Sequence, residues 1–242
     1  MSAVTSLGVV LALSLSGFVQ GLTGFGFGLV SVALLPLVLG LKDALVVVAF
    51  LNVVVCAATF VATWREFRWR DARGLVLGSC IGVPIGFWGL VHLDAGLLLR
   101  ALGVLLCVYS GIELVFGERS PVKIPAGLGF PIGIVSGGIG GALNVGGPPA
   151  IAYTYSQPWT NGQVVAVLQV VFGVSAVLRA VLVGTSELIR PGLVRVSLVG
   201  VVPLLLATVA GGWFLGRVPR EFLKRAVFGF LFLMGFKYML FP

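Results

Sequence analysis

The residues of this chain whose types and spacing could do chemistry are mostly glycines, prolines and side-chain amides. Two stretches concentrate them: Gly21-Leu22-Thr23-Gly24-Phe25-Gly26-Phe27-Gly28, and Gly137-Gly138-Ile139-Gly140-Gly141-Ala142-Leu143-Asn144-Val145-Gly146-Gly147-Pro148-Pro149. Glycine tolerates positive φ and lets backbones approach closely. Proline has no N–H and blocks the continuation of a helix. A regular helix through Gly146–Pro149 is therefore not expected, and an X-Pro bond there is a candidate for cis geometry. A helix that opens after such a break presents unpaired N–H groups and the positive end of its dipole, a ready site for an anion. Segments opening after Gly24–Gly28 and after Pro149 would supply two such ends, facing each other. The candidate binding residues are Thr23, Gly24, Phe25, Gly26, Asn52, Asn144, Gly146, Gly147, Pro148, Pro149 and Gln169.

Other chemistries find little material. The single histidine, His92, falls at a loop, and Cys56, Cys80 and Cys107 lie in apolar runs with no CxxC or Cys/His cluster. No metal, cofactor or catalytic constellation is expected. The acids sit at or near loops except Glu113, so the titratable relay of a proton pump is missing. Gln20, Thr23, Asn52, Ser136, Asn144, Thr154 and Gln169 are the polar residues placed to line a path. Asn52 and Gln169 either do so or hydrogen-bond between helices, worth about 1 kcal/mol. Phe25 and Phe27 either gate or pack. Tyr153, Tyr155 and Trp159 read as an interfacial belt. Arg179, near the end of its segment, is expected to snorkel to the interface, and Arg100 and Arg225 to mark helix starts. The isolated pairs Gly17/Gly21 and Gly78/Gly82 suit helix packing.

Elements able to position these residues follow from composition. Of 242 residues, 59% are hydrophobic and 10% charged, where a soluble domain carries roughly a quarter charged. Residues 44–63, 74–91 and 164–178 hold no charge at all, and runs of this kind read as membrane-spanning helices. They lack the alternation of barrel strands. The fold class is thus all-α, a polytopic membrane bundle whose glycine- and proline-rich stretches form broken or re-entrant helices. Apolar segments are expected near Val4–Gln20, Thr23–Leu39, Ala44–Thr63, Gly74–Val91, Leu97–Phe116, Ala126–Ser136, Gly141–Tyr155, Val164–Val183, Leu193–Phe214 and Leu223–Leu240. No basic residue precedes Lys42, so the first segment reads as a mature helix rather than a signal peptide. The net charge of +8 is spread over short loops, which points to topology and lipid headgroups and not to nucleic acid.

The segments group into two halves, 1–118 and 119–242. Gly17, Gly21 and Gly24 recur as Gly133, Gly137 and Gly140; Leu51-Asn52 recurs as Leu168-Gln169; Leu99-Arg100-Ala101 recurs as Lys224-Arg225-Ala226. Five segments per half give the halves opposite orientations, that is, inverted repeats. With the amino terminus outside, the cytoplasmic side receives Arg65, Arg68, Arg70, Arg73, Arg119, Lys123, Arg217, Arg220, Lys224 and Arg225. The other side receives Lys42, Arg100, Arg179, Arg190, Arg195 and Lys237, so the bias runs in the positive-inside direction. If each glycine-broken pair counts as one span, the halves are instead parallel. Paired broken helices in two repeats mark the binding site of many transporters.

With its GLTGFGFG stretch at Gly21–Gly28, its GGIGGALNVGGPP stretch at Gly137–Pro149 and its two repeated halves, the chain resembles the TauE/SafE family, also called the 4-toluene sulfonate uptake permease family. The resemblance covers essentially the whole chain. It implies a permease carrying sulfite or organosulfonates, commonly outward across the bacterial inner membrane, with the glycine/proline stretches as its binding region. The other reading open at this point is a membrane scaffold or assembly subunit whose glycines only pack helices.

Overall fold

The computed structural model describes residues 3–116, 123–214 and 220–241, and within them the chain is helical with no strand. The helices are α1 (Ala3–Thr23), α2 (Phe27–Leu34), α3 (Pro36–Leu39), α4 (Leu41–Thr63), α5 (Trp69–His92), α6 (Ala95–Phe116), α7 (Gly129–Leu143), α8 (Gly147–Ser156), α9 (Asn161–Gly184), α10 (Pro191–Phe214) and α11 (Arg220–Leu240). Seven of them are long and apolar enough to cross a membrane. Large apolar side chains such as Leu11, Trp88, Val209 and Leu233 stand exposed on the outside of the bundle. In water that surface would be costly; against hydrocarbon it is matched. The chain is a multi-pass helical membrane protein.

Local sequence explains where helices start. A capping box opens α9: the Thr160 hydroxyl accepts from the Gln163 N–H at 3.2 Å, and the Gln163 side chain accepts from the Thr160 N–H at 2.9 Å. Pro36 and Pro191 begin α3 and α10, where a missing N–H costs nothing. Gly40, with φ 78°, turns the chain from α3 into α4.

Packing pairs α1 with α10, α5 with α7, α4 with α9 and α6 with α11. The α5–α7 seam is the tightest. Gly78, Gly82 and Gly86 on α5 meet Gly133, Gly137 and Gly141 on α7, and a methyl group on any of them would overlap the opposing backbone. Across this seam the Ser79 hydroxyl donates to the carbonyl of Gly133 at 3.3 Å. Gly17 and Gly21 play the same part against α10. The expected packing role of Gly17/Gly21 and Gly78/Gly82 is what these seams show.

Several expectations are corrected. The second helical pair is not divided at Gly137–Gly140. Helix α7 runs through those glycines, because α5 holds them in a continuous helix, and the interruption falls at residues 144–146. Likewise α1 continues past Gln20 to Thr23. The segment 23–39 is two helices, because Pro36 opens a second one. Pro148 and Pro149 do not precede the next helix but form its first turn, and all described peptide bonds are trans. Tyr153 belongs to no interfacial belt: it is buried, donating to the carbonyl of Ala126 at 2.9 Å. The expected boundary between halves at 118/119, Glu118, Arg119 and Arg217 lie outside the described residues, as do the side chains of Arg220 and Lys224.

Candidate functional site

Both interruptions are three residues long and begin the same way. After α1, Gly24 takes a left-handed conformation with φ 78° and its N–H bonds to the Gln20 carbonyl at 2.8 Å. After α7, Asn144 does so with φ 61°, and its N–H bonds to the Gly140 carbonyl at 2.9 Å. This is the ordinary left-handed stop of a helix, for which glycine and asparagine are the fitting residues. Two residues later Gly26 and Gly146 precede new helices.

The polar groups freed by the first interruption are met from two sides. The Gln20 side-chain oxygen accepts the Phe27 N–H at 3.0 Å, and the Gln169 amide donates to the Gly24 carbonyl at 2.6 Å. Thr23 folds back locally: its hydroxyl donates to the Val19 carbonyl at 2.9 Å and accepts from the Phe25 N–H at 3.3 Å. The next helix begins its own ladder with Val30 N–H to Gly26 carbonyl at 3.0 Å. Gly28 and Leu29 therefore sit in the first turn, and their N–H groups have no acceptor within the helix.

At the second interruption the Ser136 hydroxyl donates to the Gly146 carbonyl at 2.5 Å, and the Asn144 amide donates to the Leu45 carbonyl of α4 at 3.2 Å. Pro148 and Pro149 occupy the first turn of α8, so Gly147 is the residue of that turn still carrying an N–H.

The two interruptions meet: a methyl group on Gly28 would overlap the carbonyl oxygen of Asn144. Between them lies a cavity of about 50 Å³. Its lining includes Gln20, Phe25, Gly26, Gly28, Leu29, Asn52, Cys56, Ser136, Asn144, Gly146, Gly147, Gln169 and Arg179. Of the candidate residues, Phe25, Gly26, Asn52, Asn144, Gly146, Gly147 and Gln169 line it, whereas Thr23, Gly24, Pro148 and Pro149 stand behind it and shape the backbone. Asn52 and Gln169 face it from α4 and α9; Asn52 accepts from the Cys56 thiol at 3.6 Å, and the Gln169 side-chain oxygen is buried with no hydrogen-bond partner. Phe27 is buried among apolar side chains at the cavity's edge.

Arg179 departs most from expectation. It does not snorkel: its side chain is 1% exposed and turns inward from α9. The guanidinium donates to the carbonyl of Gly140 and, at 3.5 Å, to that of Ala142, in the last turn of α7, while its Nε has no acceptor. The available signal was an arginine inside a long apolar run, which by itself marks a functional candidate; α9 continues five residues beyond it, too far for an interfacial end. Gln20 and Ser136, named among the polar path residues, also line the cavity.

Beside the cavity, sharing Cys56 and Gln169 with it, an apolar groove of about 410 Å³ runs between α4 and α9 past Phe60, Val170 and Val174. Among the described residues no cluster of His, Cys, Asp or Glu has the composition of a metal site.

No curated protein and no solved structure matches this chain. The family model described as "Sulfite exporter TauE/SafE" does, over residues 9–238, so this membrane protein with two interrupted helices meeting at a polar cavity belongs to the TauE/SafE family of transporters.

Proposed function

We propose that the chain is a permease of the bacterial inner membrane that exports sulfite or small organosulfonate anions, binding them in the cavity between the two helix interruptions. The observation that carries this reading is that Gly28, Leu29 and Gly147, whose N–H groups have no helical acceptor, all line one chamber whose lining includes no acidic side chain. Such amides, at the positive ends of two short helices, favour an anion over a cation or a neutral solute. The cavity offers room for about four water-sized positions, the scale of a small oxyanion. The apolar groove beside it would take the organic part of a sulfonate.

Transport by alternating access would follow from two halves, 1–118 and 119–242, related as inverted repeats. Exchanging the halves turns the α1–α10 contact into α7–α5 and maps α4–α9 and α6–α11 onto themselves, and these are the pairs that pack. The two left-handed stops correspond under the same exchange, which sets Gly24 against Asn144 rather than against Gly140. A scaffold role accounts for the glycines of the α5–α7 and α1–α10 seams, for the positive φ of Gly24 and Gly26 and for the close approach of Gly146 to the Ser136 carbonyl, but not for a polar cavity where the two interruptions meet.

Proteoliposomes carrying the purified chain test the proposal directly. Release of preloaded sulfite or methanesulfonate should exceed that from protein-free vesicles and should compete with external sulfonate. Equal leakage from both vesicle types, with no change in thermal midpoint on adding either anion, would remove the anion-permease reading and leave the scaffold.

A further inference from the structure

Arg179 gives the cavity a single formal charge. The remaining lining residues are neutral, and among the described residues no carboxylate lies within ion-pair distance of this guanidinium. A cation shut away from water without a counter-charge is costly, because carbonyl dipoles replace only part of its hydration. Two carbonyls at the end of α7 hold its terminal nitrogens; its Nε–H is buried and unengaged. The unpaired positive charge is therefore an open valence that something entering the cavity can close.

The valence counts one, and the neighbouring donors do not raise it. The amides at the two helix starts number three and carry no formal charge. Here the first turn of α2 keeps two, from Gly28 and Leu29, since the Gln20 side chain takes that of Phe27. The first turn of α8 keeps one, because Pro148 and Pro149 have none. Neutral side chains meet the rest of the surface.

We infer that Arg179 is an anion-binding residue and that it makes the cavity selective for monovalent oxyanions over divalent ones of similar size. This rests on the reading of the cavity as an anion site. A monovalent oxyanion on Arg179 leaves the occupied cavity neutral, so the loaded state can be enclosed by hydrocarbon without net charge. A dianion of the same shape would leave one net negative charge buried, met by neutral amide donors alone, so that part of its desolvation would be uncompensated.

The test compares methanesulfonate with sulfate, two tetrahedral sulfur oxyanions that differ by one charge, in calorimetric titrations of the full chain in detergent at constant ionic strength. The wild type should bind methanesulfonate about tenfold or more tightly than sulfate, the range for a hydrogen bond to a charged group. Arg179→Gln should lose about tenfold or more of the methanesulfonate affinity and the preference with it. Its thermal midpoint without ligand should stay close to the wild type, because the two lost bonds to carbonyls are offset by removal of an uncompensated buried charge. Arg179→Lys, which keeps the charge, should retain the preference at intermediate affinity and serves as the second variant if the first does not fold. Sulfate binding as tight as methanesulfonate in the wild type overturns the inference without any variant. So does unchanged methanesulfonate affinity in Arg179→Gln; in both cases the anion site itself stands. Absence of binding of either anion to the wild type overturns the site reading and this inference together.

Discussion

At the first interruption Gly24 makes the left-handed stop and α2 then offers the amides of Gly28 and Leu29; at the second Asn144 makes it and Pro148 and Pro149 leave α8 with few amides to offer. The helix ends that precede them differ in the same sense. Gln20 and Gln169 donate from neutral amides to the Gly24 carbonyl that follows α1, whereas Arg179 meets the α7 end with a charge. One backbone geometry thus supports two chemistries: donors from the main chain on one side of the cavity, and a side-chain cation on the other. Conformation at each stop is set by the residue at the positive-φ position. What each side offers a ligand is set by the first turn that follows and by the helix packed across it.

The largest expected effect comes from breaking the second stop. Asn144→Val puts a β-branched residue at φ 61° and removes the amide bond to Leu45. The left-handed conformation costs about 1–2 kcal/mol and the lost bond about 1 kcal/mol. A fall in thermal midpoint should accompany loss of flux, whereas Gly24→Asn at the first stop should be tolerated, since asparagine accepts that conformation. If the two substitutions destabilise equally, the stops are not equivalent in backbone terms.

Gln169→Leu acts on the first side alone. It leaves the Gly24 carbonyl with only the longer bond from Gln20, at 3.3 Å, a loss of about 1–2 kcal/mol for a buried acceptor. Stability should fall by that amount in a denaturation series, and sulfite flux should fall further, because the same side chain faces the cavity. Flux that tracks stability alone would make Gln169 a purely structural link between α9 and the first stop.

The smallest and sharpest effect belongs to Pro149→Ala. It restores an N–H to the first turn of α8 while alanine keeps the turn helical. Sulfate affinity should rise by about threefold to tenfold relative to methanesulfonate, the scale of one hydrogen bond. An unchanged ratio in titrations of both anions would show that the missing proline donors do not make the two sides differ.

Much of this molecule could be read from residue order. Long uncharged runs can satisfy their backbone polar groups in hydrocarbon as helices or closed barrels, and these runs lack barrel alternation, so class and environment followed from composition and pattern. The glycine–proline stretches announced interrupted helices because proline cannot donate within a helix and glycine accepts positive φ. Asn144, Gly146 and Gly147 were reachable on that ground. Their register was not, because Gly137–Gly141 have the same composition as a break and become helical only where α5 brings Gly82 and Gly86 against them. Arg179 was misplaced for a related reason. A position along an apolar run does not say which way a side chain turns, and its inward course depends on α7 ending opposite it with carbonyls to accept its protons. Chain order determined which elements form and where their backbones can break, since those are local properties of each residue. Which breaks meet, and which charge is enclosed between them, was decided by helix packing, since only neighbours distant in the chain can supply or withhold a partner.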